Sequence, residues 1–183
     1  MSRKDLLERL KSHLPADEHE AAMLKRILGF VTRHEECFQR SLLSGHVTAS
    51  AWVVDLERTH ALLTHHAKLG KWLQMGGHCD GDSDVLKVAL REVEEESGLT
   101  ALQPLLGGAV FDVDAHEIPA RGAEPAHIHY DIRFLFEADR LAPLRISGES
   151  HDLRWVAFEE IPLLNTDESV LRMLRKSPRR TDS

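Results

Sequence analysis

The sequence predicts an α/β chain: a β-sheet layered between helices, with a helical arm ahead of it. Three observations carry that prediction. Stretches with 3.6-residue apolar periodicity alternate along the chain with short segments rich in β-branched and apolar residues. The longest of the central periodic stretches, residues 84–97, has strand-like segments on both sides. Two helical patterns precede the first strand-like segment.

Residues 5–14 read as a short helix with Leu6, Leu7, Leu10 and Leu14 on one side, interrupted by Pro15-Ala16-Asp17. Residues 18–38 read as a longer one, with Met23, Leu24, Ile27, Leu28 and Val31 as its apolar stripe. Residues 1–42 therefore form a helical arm, read as a packing element or a dimer contact, with a lid as the alternative. Strands are expected over 47–54 and 59–65, and 71–75 leads into Gly76-Gly77. A helix over 84–97 follows, stopped by Gly98, a residue suited to the left-handed position. Further strands are expected at 108–113, 128–138 and 153–158, with a connecting loop at 115–125 that holds two prolines and a glycine. A helix over 168–176 closes the pattern.

A chain of 183 residues is long enough to bury one ordinary core. The formal net charge of −7 argues against a general nucleic-acid binder, which needs a basic surface. No run of about twenty apolar residues exists to span a bilayer, and residues 1–5 lead into an amphipathic pattern, not an apolar signal segment. Two cysteines, Cys37 and Cys79, supply no disulfide framework, so a cytoplasmic setting is expected.

The chemistry concentrates between Gly77 and Leu99. Wound at about 100° per residue, residues 84–97 gather Val85, Leu86, Ala89, Leu90 and Val93 into one stripe, with Lys87, Arg91 and Glu94 opposite. Glu92 and Glu96 lie on one line at the edge of that stripe, with Glu95 beside them. Like charges at this spacing repel by roughly 0.2–0.5 kcal/mol per exposed pair, and one arginine cannot neutralise three carboxylates. Clustered hard oxygen ligands suit Mg²⁺ or Mn²⁺. The alternative is a solvated acidic face.

The flanking residues decide in favour of the cation. The stretch resembles the Nudix signature: Gly, five residues, Glu, seven residues, then Arg-Glu-aliphatic-x-Glu-Glu-x-Gly-aliphatic. Gly77, Arg91, Glu92, Val93, Glu95, Glu96, Gly98 and Leu99 match it in register. Ser83 stands where the family has its first Glu; a cap on the helix start is expected of it, with Asp82 or Asp84 supplying the missing charge. The resemblance implies an α/β/α sandwich with a mixed sheet, a Nudix domain over residues 43–178 and a polar tail at 179–183. It implies a Mg²⁺- or Mn²⁺-dependent hydrolase that cleaves a nucleoside diphosphate linked to another group by water attack at phosphorus. The Gly77 carbonyl, Glu92, Glu95 and Glu96 would ligate the metal, with Arg91 orienting Glu92. The base would be Glu95 or, from a downstream loop, Glu149.

His127, His129 and Asp131 alternate and so share one face of their strand. They and His78 are assigned to the lining of a small-molecule substrate cleft; zinc binding by the triplet is the alternative. His65 and His66 can add phosphate hydrogen bonds. No substrate branch is matched: Asp114 and His116 stand where the ADP-ribose and diadenosine branches have proline and tyrosine, and His65-His66 interrupts the coenzyme A pattern. Rival readings are a nucleotide-binding or regulatory module with little turnover, a prenyl-diphosphate isomerase, and an RNA-decapping enzyme.

Overall fold

The computed structural model describes residues 1–122, 125–148 and 150–179. Two helices lead: α1 (Arg3–Ser12), closed by a Ser2–Asp5 capping box, and α2 (Glu18–Arg33), capped by Asp17. The second ends five residues before the expected point. The Cys37 carbonyl is needed elsewhere: it accepts the Val47 amide at 2.7 Å, where the chain turns into the sheet. Strands β1 (Gly45–Asp55), β2 (His60–His66), β3 (Lys71–Leu73) and β4 (Met75–His78) follow, then helix α3 (Val85–Ser97). After the short β5 (Gln103–Pro104) come β6 (Val110–Ile118), β7 (His127–Ala138), β8 (Ser150–Ala157) and helix α4 (Glu168–Lys176). The 115–125 loop is a correction in part. Residues up to Ile118 continue β6, because Ala115, His116, Glu117 and Ile118 pair with β7 in register before Pro119 ends the ladder.

All eight strands join one mixed sheet. Its centre is the parallel pair β1–β7, in register from Gly45↔Ile128 to Asp55↔Ala138. The other pairs are antiparallel. On its free side β1 takes two partners: β4 along residues 48–51 and β2 at Val53 and Val54. The sheet therefore forks there. All eleven residues of β1 are buried, as a strand covered on both faces must be.

Side-chain alternation sorts β1 between two cores. Val47, Ala49, Ala51 and Val53 pack with Leu6, Leu10, Ile27 and Phe30 of the arm and with Val85, Val88, Ala89 and Val93 of α3. Trp52 and Val54 pack on the other face with Val170, Met173 and Leu174 of α4. The result is the expected α/β/α sandwich. The arm is bound into its first core, with Phe30 stacked on Tyr130 at 3.9 Å between ring centres. No helix among the described residues is long and apolar enough to cross a membrane.

Gly98 ends α3 at φ +74° and donates its amide to the Glu94 carbonyl at 2.9 Å. An L-residue is strained there, and a Cβ would press on the Arg145 side chain at 3.2 Å. Gly98→Ala is expected to lower unfolding stability by about 1 kcal/mol, read as a lower denaturant midpoint with unchanged slope.

Candidate active site

Helix α3 lies against β1 and β4, and the buried stripe that holds it there includes Val85, Val88, Ala89, Val93 and Ser97. Val88 and Ser97 join the stripe, while Leu86 and Leu90 are only partly buried. This rotation turns Glu92 and Glu96 toward β4, which among the described residues pairs only with β1. Glu96 Oε1 accepts the Gly76 amide at 2.9 Å. Glu92 reaches Gly77 so closely that a Cβ there would overlap its carboxylate. Gly76 in turn lies flat on Ser50, where a side chain would meet the Ser50 backbone. Both glycines are thus required by close approach.

Arg91 is not on the outward face. Its Nη2 donates to Glu92 Oε1 at 3.0 Å and to the His78 carbonyl at 3.2 Å, and its Nε lies 3.7 Å from Glu95 Oε1. The hydrogen bond to Glu92 raises the arginine pKa further above its ordinary value. One guanidinium therefore fastens the helix to the end of β4 and fixes the Glu92 carboxylate. Glu95 stays 63% exposed at the rim. Gly77→Ala should displace Glu92, because the obstacle is the movable end of a side chain. The expected outcome is a folded protein with about tenfold lower turnover, checked by steady-state kinetics beside a thermal melt.

Ser83 does not cap the helix. Its Oγ donates to the Met1 carbonyl at 2.6 Å, and the cap is Asp84, which accepts the Lys87 amide at 3.3 Å. Asp84 also meets the Met1 ammonium at 3.1 Å, which helps hold its carboxyl below the ordinary range against the opposing effect of burial. Cys79, in the same loop, is buried, and burial pushes its thiol far above the nucleophilic range. Glu149 lies outside the described residues.

The histidines gather by strand register. His46 of β1 is opposite His129 of β7, which is opposite His116 of β6. His127 is two residues along the same face, and His78 of β4 pairs with Thr48, the next inward residue of β1 on that face. Ring centres of His46 stand 5.0, 5.0 and 4.9 Å from those of His78, His127 and His129. His78 and His129 are 5.0 Å apart. Burial and the surrounding imidazoles hold His129 far below the ordinary histidine range, so it is neutral. His65 is elsewhere, packed on Trp72 at 5.1 Å, and Arg154 covers the same indole.

Asp131, expected in the cleft lining, is 2% exposed. Its oxygens accept from Thr48 at 3.0 Å, from Ser50 at 2.8 Å and from Arg133 Nε at 2.7 Å. It opens a buried charged network. Arg133 also donates to Asp112 at 3.1 Å and to Asp114 at 3.2 Å. Asp112 takes two further hydrogen bonds from Arg172 of α4 at 2.8 Å each and one from Lys176 at 3.0 Å. Lys176 continues to Glu20 and His13 of the arm region. The sequence reading missed this network and His46. The signal was present: His46, Thr48 and Ser50 alternate as polar residues along an otherwise apolar strand.

With glycines, arginine and glutamates in this arrangement, the comparison with known proteins is direct. Residues 45–176 match the NUDIX domain. The chain belongs to the Nudix family. Solved structures share the fold of this Nudix chain. The C. elegans Ap4A hydrolase binary complex has TM-score 0.57 at 19% identity, covering 71% of this chain and 93% of that one. The E. coli dihydroneopterin triphosphate pyrophosphohydrolase has TM-score 0.57 at 14% identity, covering 71% and 92%. The NUDIX domain of Shewanella oneidensis NrtR, complexed with ADP ribose, has TM-score 0.51 at 14% identity, covering 81% and 94%. At these identities the likeness concerns the fold. No curated protein sequence matches the Nudix chain.

Proposed function

We propose that this Nudix protein is a Mg²⁺- or Mn²⁺-dependent hydrolase of a nucleoside diphosphate linked to another group. The observation that carries the reading is the convergence of Glu92 and Glu96 on Gly76-Gly77, with Arg91 fixing the first of them. Membership of the Nudix family supports hydrolysis of a phosphoanhydride bond. The donors there are carboxylate and carbonyl oxygens without sulfur or imidazole, the chemistry that suits a hard divalent ion. Glu92, Glu96 and Glu95 would hold it with the Gly77 carbonyl. Bound there, a divalent ion supplies charge neutralisation at the phosphate oxygens and a more acidic water.

The chain's own residues set up the rest. Arg91 keeps the Glu92 carboxylate in one orientation and ties it to the strand end. The bare Gly77 leaves the space in which that carboxylate sits. Glu95, at the rim and only loosely paired, is the acceptor we assign for the proton of the attacking water. His78, half-buried at the end of β4, is the imidazole assigned to a substrate phosphate. His127 and His129 are turned onto His46.

The test is turnover across nucleoside triphosphates, ADP-ribose, nucleotide sugars, dinucleoside polyphosphates, NADH and coenzyme A, each with Mg²⁺, Mn²⁺ or EDTA. Phosphate or mononucleotide release from one class, abolished by EDTA, is the expected outcome. Binding by thermal shift without release from any class overturns the reading in favour of a nucleotide-binding module.

A further inference from the structure

We propose that His46, His127 and His129 form a second metal site, built for a borderline transition-metal ion of the Zn²⁺ class and separate from the glutamates of α3. One ligand nitrogen from each of these three imidazoles lies within 4.8 Å of the other two. Among the described residues no other set of three His, Cys, Asp or Glu side chains closes so tightly. The closest approach is His127 Nε2 to His129 Nε2, at 3.2 Å. Two nitrogens bound at about 2.0–2.1 Å to one tetrahedral zinc stand about 3.3–3.4 Å apart, so this pair already has nearly the spacing that a shared ion imposes.

The surroundings favour an ion over a plain imidazole cluster. His127 Nδ1 lies 2.9 Å from the Pro125 carbonyl. A carbonyl only accepts, so Nδ1 carries the proton, and the Nε2 lone pair is directed at His129. His46 is 2% and His127 6% exposed, and the three residues come from the two central strands, the most rigid part of the sheet. His129 has His116 on its other flank, and His116 Nδ1 is 3.6 Å from Asp114, a carboxylate placed to orient that ring. His78, with its ring centre 5.0 Å from those of His46 and His129, lies between this site and the glutamates and keeps its assignment to a substrate phosphate, so a water completes four-coordination. An all-imidazole set selects Zn²⁺, Co²⁺, Ni²⁺ or Cu²⁺ and discriminates against Mg²⁺ and Mn²⁺. The ion would clamp the beginning of β1 to the beginning of β7.

The site is tested on full-length protein without a histidine tag, stripped with EDTA and titrated with Co²⁺, then competed with Zn²⁺. The expected result is the intense visible spectrum of four-coordinate cobalt, saturating at one equivalent and displaced by Zn²⁺ but not by Mg²⁺. His46→Gln and His129→Gln should each weaken binding at least about tenfold. Glu96→Gln and His19→Gln should leave it unchanged. If a histidine variant fails to fold, ¹⁵N spectra of the wild-type imidazoles read the ligands directly. Shifts on Zn²⁺ addition confined to His46, His127, His129 and the flanking rings support the site. No cobalt band, or unmoved imidazole signals, overturns it. The readout is metal binding and not turnover, so its failure is separable from failure of the hydrolase reading.

Discussion

Glu96→Gln should lower kcat/KM by at least about tenfold, a loss of ~1.4 kcal/mol in transition-state stabilisation. The substitution removes a negative charge yet keeps an oxygen that can accept the Gly76 amide now held at 2.9 Å. The strand–helix contact therefore survives, and the melting temperature should stay within about two degrees, the effect of less than ~1 kcal/mol in a chain of this size. Glu94→Gln is the matched control, since Glu94 is exposed on the same helix and has no part in the convergence. Steady-state kinetics of both variants, on whichever substrate class the panel identifies, decide the point. Activity of Glu96→Gln within twofold of wild type would show that the cation is not held at this edge of the helix.

The second large effect is on stability. Asp112→Asn should destabilise the fold by about 3–5 kcal/mol, the usual range when one partner of a buried ion pair is removed. Asp112 is fully buried and receives Arg133, Arg172 and Lys176. Its loss takes the carboxylate to which Arg172 makes two hydrogen bonds, and leaves Arg133 to Asp131 and Asp114 and Lys176 to Glu20. In a domain of this length the melting temperature should fall on the order of 10 °C. Burial alone would raise the Asp112 pKa, but the hydrogen bond from Arg172 and the charges of Arg133 and Lys176 outweigh it and hold the carboxyl well below the usual carboxylate range. A depressed folded-state value means that the stabilisation is fully present above about pH 4, where the unfolded chain also ionises, and is lost as pH falls toward the folded value. The gap between wild type and Asp112→Asn, measured by denaturant unfolding, should therefore narrow as pH drops below about 4. A gap that stays constant down to pH 2 would refute the linkage.

Much of this architecture can be read from local pattern. The 3.6-residue period sets α3, and α4 occupies residues 168–176 as expected, because amphipathic spacing and capping act within a few residues. The Gly77 to Leu99 spacing likewise brings Glu92, Glu96 and Arg91 to one strand end, since helix and glycine turn are contiguous in the chain. What escaped was long-range. Ser83 was expected to cap the helix and instead meets Met1, a contact across 82 residues. Asp131 looks like a cleft residue from alternation alone, until β1 supplies Thr48 and Ser50 and the neighbouring Arg133 turns back onto it. His46 joins His129 only through the parallel register of β1 and β7, which no local period encodes.

That parallel register also has a temporal side. Gly45 pairs beside Ile128, and Asp55 beside Ala138, so each end of the central strand pair waits for a partner 83 residues downstream. During synthesis at roughly 5–20 residues per second, β1 emerges about 4–17 s before the segment that completes its ladder. For that interval an eleven-residue, wholly buried strand has the arm helices, β2, β4 and α3 to shield it, and its β7 edge stays open. Contacts so distant in sequence also make folding slow compared with a helical chain of equal size. The nascent chain is therefore most exposed to aggregation in the window before β7 appears, and a ribosome stall between residues 100 and 125 would lengthen that window.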